Sequence, residues 1–183
     1  VETTDEAPKK QGRWVYEVEV SIDTEGGNSD SFDSSISLSA TLSKPKSILE
    51  IYASNTREEE DDEKETDETI LGSDYISFIR EQWGWFSTSE FRRDKFDDLY
   101  LRATAAVGLN YHFFNTDTNK LELRGGVGFR YDNYVNGGNY DSPTAYIGLK
   151  QNWQFAEWGV LTNDIVFTPS LKNVNDYLFS QDI

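Results

Sequence analysis

The chain has 183 residues, of which 37% are hydrophobic, and its formal net charge is −16. So acidic a chain argues against nucleic-acid binding, because neutralising phosphates needs a basic surface. No run of residues approaches the roughly 20 apolar residues of a membrane helix. The absence of cysteine excludes disulfides and thiolate metal sites.

Alternation of apolar and polar residues dominates the sequence after a polar, flexible tail at residues 1–12. Such alternation is typical of strands with one apolar face, and Gly, Asn, Asp and Pro residues separate the segments. The strands predicted from it, in chain order, are residues 13–23, 32–42, 47–55, 68–79, 85–95, 99–114, 120–132, 143–155, 159–171 and 176–183. The sequence therefore predicts an all-β domain over residues 13–183, an antiparallel up-and-down meander of about ten strands that forms a β-barrel.

The sixth segment, LYLRATAAVGLNYHFF, has the clearest alternation. Leu101, Val107 and Leu109 belong to its apolar set, and Arg102 and Thr104 to its polar set. A soluble barrel such as a lipocalin turns its apolar face inward, whereas a membrane barrel turns that face to lipid. Periodicity alone leaves both interpretations open.

The lengths of the predicted connections favour a membrane barrel. Those after the second, fourth, sixth and eighth strands are short, and those after the first, third and seventh are longer, as in outer-membrane barrels. The longest is an acidic loop predicted over residues 57–68, with nine acidic residues between Glu58 and Glu68. We expect this loop to face the cell exterior as a solvated segment, with weak binding of a divalent cation as the alternative.

The polar face carries mixed charges interleaved with glycines, which suits a narrow interior better than a water-exposed surface. Aromatic residues cluster at the strand ends, as in the girdles of membrane barrels. The residues predicted to face the interior are Glu90, Arg92, Arg102, Glu122, Arg124, Arg130 and Lys150.

Four stretches, taken in order, resemble the salt-induced outer-membrane protein family, a bacterial family of unknown function: GGNSDSFDSSISLSATL, WGWFSTSEFRRDKFDDLYLRATAAVGLNYHFF, LELRGGVGFRYDNY and FTPSLKNVNDYLF. The resemblance implies a β-barrel in the outer membrane of a Gram-negative bacterium. It brings no established activity and no catalytic residues. Because that family continues with further strands, the resemblance also implies that the chain stops before the closing strands, at Ile183.

Catalytic chemistry has little support in the sequence. His112 is the single histidine, and its place near a strand end is more typical of a barrel wall than of an active site. The stretch GGVGFR lacks the strand-to-helix context of a phosphate loop. We expect no enzymatic activity, cofactor or metal site.

The favoured interpretation is an outer-membrane β-barrel with a structural or envelope-stress role, or a narrow pore. Its partners would be outer-membrane lipid, lipopolysaccharide and the barrel-assembly machinery. The alternative is a soluble, lipocalin-like β-barrel that binds a small apolar ligand.

Overall fold

The computed structural model describes residues 12–25, 31–60, 63–95, 98–116 and 118–182. These residues form ten β-strands: β1 (Arg13–Glu25), β2 (Ser31–Lys44), β3 (Ser47–Glu60), β4 (Glu63–Phe78), β5 (Trp83–Asp94), β6 (Leu99–Asn115), β7 (Asn119–Tyr134), β8 (Asn139–Ala156), β9 (Gly159–Pro169) and β10 (Tyr177–Asp182). The described residues include no helix that is long and apolar enough to cross a membrane.

The strands pair in chain order, from β1 to β10, in one antiparallel sheet. Each strand is joined to the next by a hairpin, which confirms the predicted all-β, up-and-down meander. Short connections between sequential antiparallel strands make this arrangement local along the chain. The sheet curls into a half-barrel with a convex and a concave face.

The two ends of the half-barrel differ in their connections. At the end we call the turn end lie the connections after β2, β4, β6 and β8. These are short, and backbone hydrogen bonds such as Thr116 N–H to Asn119 O (2.9 Å) close them. At the opposite end, the loop end, lie the connections after the odd-numbered strands, including residues 170–176 between β9 and β10.

The acidic segment at residues 57–68 differs from its prediction as a long loop. Strands β3 and β4 extend into it, and only residues 61 and 62, which lie outside the described residues, separate them. The physical reason is that strand pairing uses the backbone, while alternation sends successive acidic side chains to opposite faces. Cross-strand contacts also help, since Thr66 Oγ1 donates a hydrogen bond to Glu58 Oε2 at 2.7 Å.

The convex and concave faces have opposite polarity. Val107 and Val127 on the convex face are 50% and 60% exposed, whereas Arg124 and Arg130 on the concave face are 2% and 3% exposed. Because the sheet is a single layer, the concave side is where side chains from distant strands meet. It therefore takes the place of a core.

Glycines allow aromatic rings to meet on the concave face. One register row across β5 to β8 reads Phe86, Gly108, Gly126 and Tyr146. The two rings lean over the glycines, with centroids 5.0 Å apart. A Cβ atom on Gly126 would lie 2.4 Å from Val107 O, far inside contact distance. The two central positions of the row, Gly108 and Gly126, therefore have room only for glycine.

The glycine row gives a paired prediction about stability. Gly126→Ala should lower the free energy of unfolding by about 1 to 3 kcal/mol, because the added methyl group overpacks the row. The adjacent Gly125→Ala points into open space and should change it by no more than about 0.5 kcal/mol. Urea unfolding followed by tryptophan fluorescence measures both, and equal effects would contradict the packing of this row.

Candidate functional site

Two open cavities, of about 870 and 320 Å³, lie along the concave face. The larger one extends toward the loop end, and the smaller one lies at the turn end. Six of the seven charged residues assigned to the interior from sequence line the larger cavity: Glu90, Arg92, Arg102, Arg124, Arg130 and Lys150. The smaller cavity is lined by the seventh, Glu122, and also by Lys150.

Five charged residues form an ionic layer between the two cavities: Asp74, Glu122, Arg124, Lys150 and Asp164. Arg124 Nη1 lies 2.7 Å from Asp74 Oδ2, and Arg124 Nε lies 2.7 Å from Glu122 Oε1. Lys150 Nζ lies 2.9 Å from Asp164 Oδ2 and 3.6 Å from Asp74 Oδ2. Strand β4 thereby contacts β7 and β8 across the interior, although three strands separate β4 from β8 in the sheet.

Arg124 is the most deeply buried member of the ionic layer. Its guanidinium group also lies over the ring of Phe86, 5.4 Å from the centroid. A buried charge is tolerated only when it is paired and hydrogen-bonded. Two carboxylates and one aromatic ring supply these partners. The position of the guanidinium group therefore depends on β4, β5 and β7, which carry Asp74, Phe86 and Glu122.

A second group of charges, the loop-end cluster, consists of Arg102, Arg130, Asp132 and Asp176. Arg102 Nε donates to Asp132 Oδ1 at 2.8 Å, and Arg130 Nε lies 3.4 Å from Asp132 Oδ2. Arg130 also donates to Asp176, in the connection between β9 and β10. The cluster thus ties that connection to β6 and β7.

The buried serine at the start of this connection has a structural role. Ser170 is fully buried, and its Oγ accepts backbone N–H groups of Lys172 and Asn173, each at 3.2 Å. Its hydroxyl also lies 2.6 Å from Ser142 Oγ. These contacts hold the turn after β9.

Glu90 and Arg92, which were also predicted to face the interior, form an ion pair with each other. The Tyr52 hydroxyl donates to Glu90 Oε2 at 3.2 Å. Arg92 lies 3.1 Å from a carboxylate oxygen of Glu68 and 3.3 Å from one of Glu90. Basic groups on this wall of the larger cavity are therefore already engaged with carboxylates.

His112 is buried beside the smaller cavity. Its Nε2 lies 2.9 Å from Asn110 Nδ2, and its Nδ1 lies 4.0 Å from Glu122 Oε2. Its hydrogen-bond partner is an amide and not a hydroxyl nucleophile. Over the described ranges, no group of three or more His, Cys, Asp and Glu side chains could hold a metal ion.

Residues 18–183 match the model of a family described as "Protein of unknown function, DUF481". The chain belongs to the DUF481 family. The match extends from β1 through all the later strands, but the narrower naming as a salt-induced outer-membrane protein is not part of it. Comparison with curated proteins and with solved structures finds no match.

Several interior residues of this DUF481 chain were not singled out from sequence. Asp132 could have been found, because it continues the polar set of β7 after Arg130. Asp74 lies in the strand with the least regular alternation. For Asp164, no nearby residue in the sequence indicates that it pairs with Lys150. The others are Phe86, Tyr146, Ser142 and Ser170, whose neighbours come from distant strands.

The loop-end cluster predicts a pH dependence of stability in this DUF481 chain. The hydrogen bond from Arg130 holds the pKa of Asp176 below its ordinary value. The contribution of the Arg130–Asp176 pair to folding stability is therefore complete above the pKa of Asp176 in the unfolded chain, about 4. It is lost as the pH falls through the lower pKa of the folded state. Urea midpoints of wild type should fall more between pH 7 and pH 3 than those of Asp176→Asn. Parallel profiles would show that the pair does not stabilise the fold.

Proposed function

We propose that this chain is an outer-membrane β-barrel protein of a Gram-negative bacterium, with its convex face against lipid. The observation that carries the proposal is the inverted polarity of the two faces. Among the described residues, nine buried side chains are polar or charged and four are hydrophobic. Large apolar residues on the convex face are exposed at the same time, with Val20 at 60% and Ile147 at 49%.

Aromatic residues support the same placement in a bilayer. Near the turn end, the ring centroids of Trp83 and Tyr111 are 4.9 Å apart, and those of Phe155 and Trp158 are 5.7 Å apart. Tyr100 lies on the same strand as Tyr111, near the loop end, and is 53% exposed. At about 3.3 Å per residue and a tilt of about 40°, the interval between these two tyrosines spans about 28 Å, close to the thickness of a bilayer core.

The soluble alternative has less support. A lipocalin-like barrel that binds an apolar ligand needs an apolar interior, because burial of apolar surface supplies the binding energy. The larger cavity is instead lined by the charged groups of β3 to β9, such as Glu50, Arg102 and Asp164.

The proposal assigns a structural or envelope-stress role and a narrow, charged interior rather than a wide pore. Side chains fill the interior of most small barrels. The partners it implies are outer-membrane lipid, lipopolysaccharide and the barrel-assembly machinery. It assigns no enzymatic activity.

Fractionation of cells that express the protein tests the proposal. We expect the chain in the outer-membrane fraction, resistant to alkaline extraction and released only by detergent. It should also migrate differently on gels with and without boiling, as folded membrane barrels do. A monodisperse protein in detergent-free buffer would overturn the proposal.

A further inference from the structure

We propose that the loop-end cluster is a binding site for a phosphate group from solution, and that Asp176 occupies the place of that anion on Arg130 when no ligand is bound. The inference goes beyond the proposed function, because the cluster lies on the concave face and does not depend on what covers the convex face. Its four side chains come from β6, β7 and the connection between β9 and β10. The site is therefore complete without any pairing between β1 and β10.

Arg130 is a buried cation with an unmet hydrogen-bond donor. Its side chain is 4% exposed, and its Nε lies 3.4 Å from Asp132 Oδ2. That contact is not a hydrogen bond, and in the described part of the chain this Nε is buried without a hydrogen-bond partner. An unpaired buried donor destabilises a protein, and more so when the group is charged. Arg130 therefore gains from an additional acceptor.

Asp132 is the fixed anion of the cluster, because Arg102 already holds it. Arg102 donates from Nε and Nη2 to the two carboxylate oxygens of Asp132, at 2.8 and 3.3 Å. The side chain of Asp132 is 2% exposed. This carboxylate is therefore neither free to turn toward Arg130 nor open to exchange with an anion from solution.

Asp176 is the replaceable anion of the cluster. Its carboxylate accepts a hydrogen bond from Arg130 Nη2, yet its side chain is 35% exposed. Its backbone is held separately, since its carbonyl oxygen accepts the N–H of Ser170 at 2.8 Å and its N–H donates to Asn173 O at 2.9 Å. The side chain can therefore turn into water while the connection keeps its fold. The cluster then has two arginines and one carboxylate, and so a net positive charge.

The exposed arginines suit a phosphate group. The guanidinium group of Arg130 keeps its position over the ring of Tyr140, 5.1 Å from the centroid. Arg102 and Arg130 line the larger, open cavity together with Thr104 and Thr144. Guanidinium groups bind phosphate through charge-assisted, bidentate hydrogen bonds, and hydroxyl groups donate to its remaining oxygens. Because the cavity lies on the concave face, away from the exposed apolar residues, the source is a phosphate in solution rather than a lipid headgroup.

Equilibrium dialysis of the folded full chain with radiolabelled inorganic phosphate at pH 7 tests the proposal. The protein is kept in the buffer or non-ionic detergent in which it is monodisperse. Asp176→Ala removes the internal anion and should bind phosphate about tenfold more tightly than wild type. Asp176→Asn keeps the size of the side chain and should change the affinity in the same direction. Arg130→Gln/Asp176→Asn removes both partners and should lose this gain.

The matched control is Asp141→Ala, which removes the same charge from the loop end. Asp141 pairs with Lys172 instead of an arginine of the cluster, and its side chain is 60% exposed. Its phosphate affinity should equal that of wild type. Equal gains in Asp141→Ala and Asp176→Ala would reflect net charge alone and would overturn the proposal, as would no gain in either Asp176 variant.

Two further measurements separate the remaining outcomes. Phosphatidylglycerol micelles should not displace the radiolabelled phosphate, and displacement would overturn a source in solution. Protease resistance is measured first for every variant, and loss of folding in both Asp176 variants would assign the Arg130–Asp176 pair to folding and overturn its role as an exchangeable anion. Absence of the chain from the outer-membrane fraction would overturn the proposed function alone, because the dialysis reports only on the concave face.

Discussion

Replacing Arg124 with methionine is expected to lower the free energy of unfolding by about 3 to 5 kcal/mol, because removal of one partner leaves buried charges without compensation. The guanidinium group is 2% exposed and lies 2.7 Å from carboxylate oxygens of both Asp74 and Glu122. Methionine keeps most of the side-chain length but removes the cation from Glu122 and leaves Asp74 with only the longer contact to Lys150, at 3.6 Å. Urea unfolding of the refolded protein measures the loss.

The control for Arg124→Met is Lys172→Met, which breaks the ion pair with Asp141. Both side chains of that pair are more than half exposed, at 52% and 60%. Exposed pairs contribute about 0 to 1 kcal/mol, because water screens them. Similar losses in the two variants would mean that Arg124 does not hold β4 against β7.

Placing an arginine on the convex face is expected to have the second largest effect. Val107→Arg should cost about 2 to 4 kcal/mol in a bilayer, because the charge would lie near the middle of the lipid. Val107 is 50% exposed and belongs to the apolar set of β6. Stability is measured by urea unfolding from lipid vesicles.

The control for Val107→Arg is Thr104→Arg on the same strand. Thr104 lines the larger cavity, and its cross-strand neighbours are Glu90 on one side and Arg130 on the other. The new charge therefore meets one carboxylate and one arginine, and it stays on the polar face. The cost should be much smaller than at Val107. Equal costs at the two positions, or no cost at Val107, would count against lipid on the convex face.

Much of the fold was predictable because the signals are local. Alternation within β7 alone places Val127 and Phe129 on one face and Arg124 and Arg130 on the other. Turn residues between the strands predict hairpins, and hairpins predict the order of strands in the sheet. Strand ends were less predictable, since the acidic residues after Asn55 continue β3 where their charge favoured a loop.

The candidate site was predictable only in part. Alternation identifies Arg124 and Lys150 as members of the polar face, yet it cannot name the partner of either. Asp74 is 50 residues from Arg124 along the chain, and its strand is not adjacent to β7. Such a contact depends on the curvature of the whole sheet, which no local pattern encodes.

The sequence by itself determined the strands, their antiparallel order and the polarity of the two faces, because side-chain alternation and hairpin turns depend on neighbouring residues. Tertiary structure alone decided which charges meet across the interior, where the ionic layer divides the two cavities, and how Phe86 and Tyr146 close over their glycines. These features depend on how strongly the sheet curls. Curvature brings residues of non-neighbouring strands within a few ångströms of each other, and it is a property of all ten strands together.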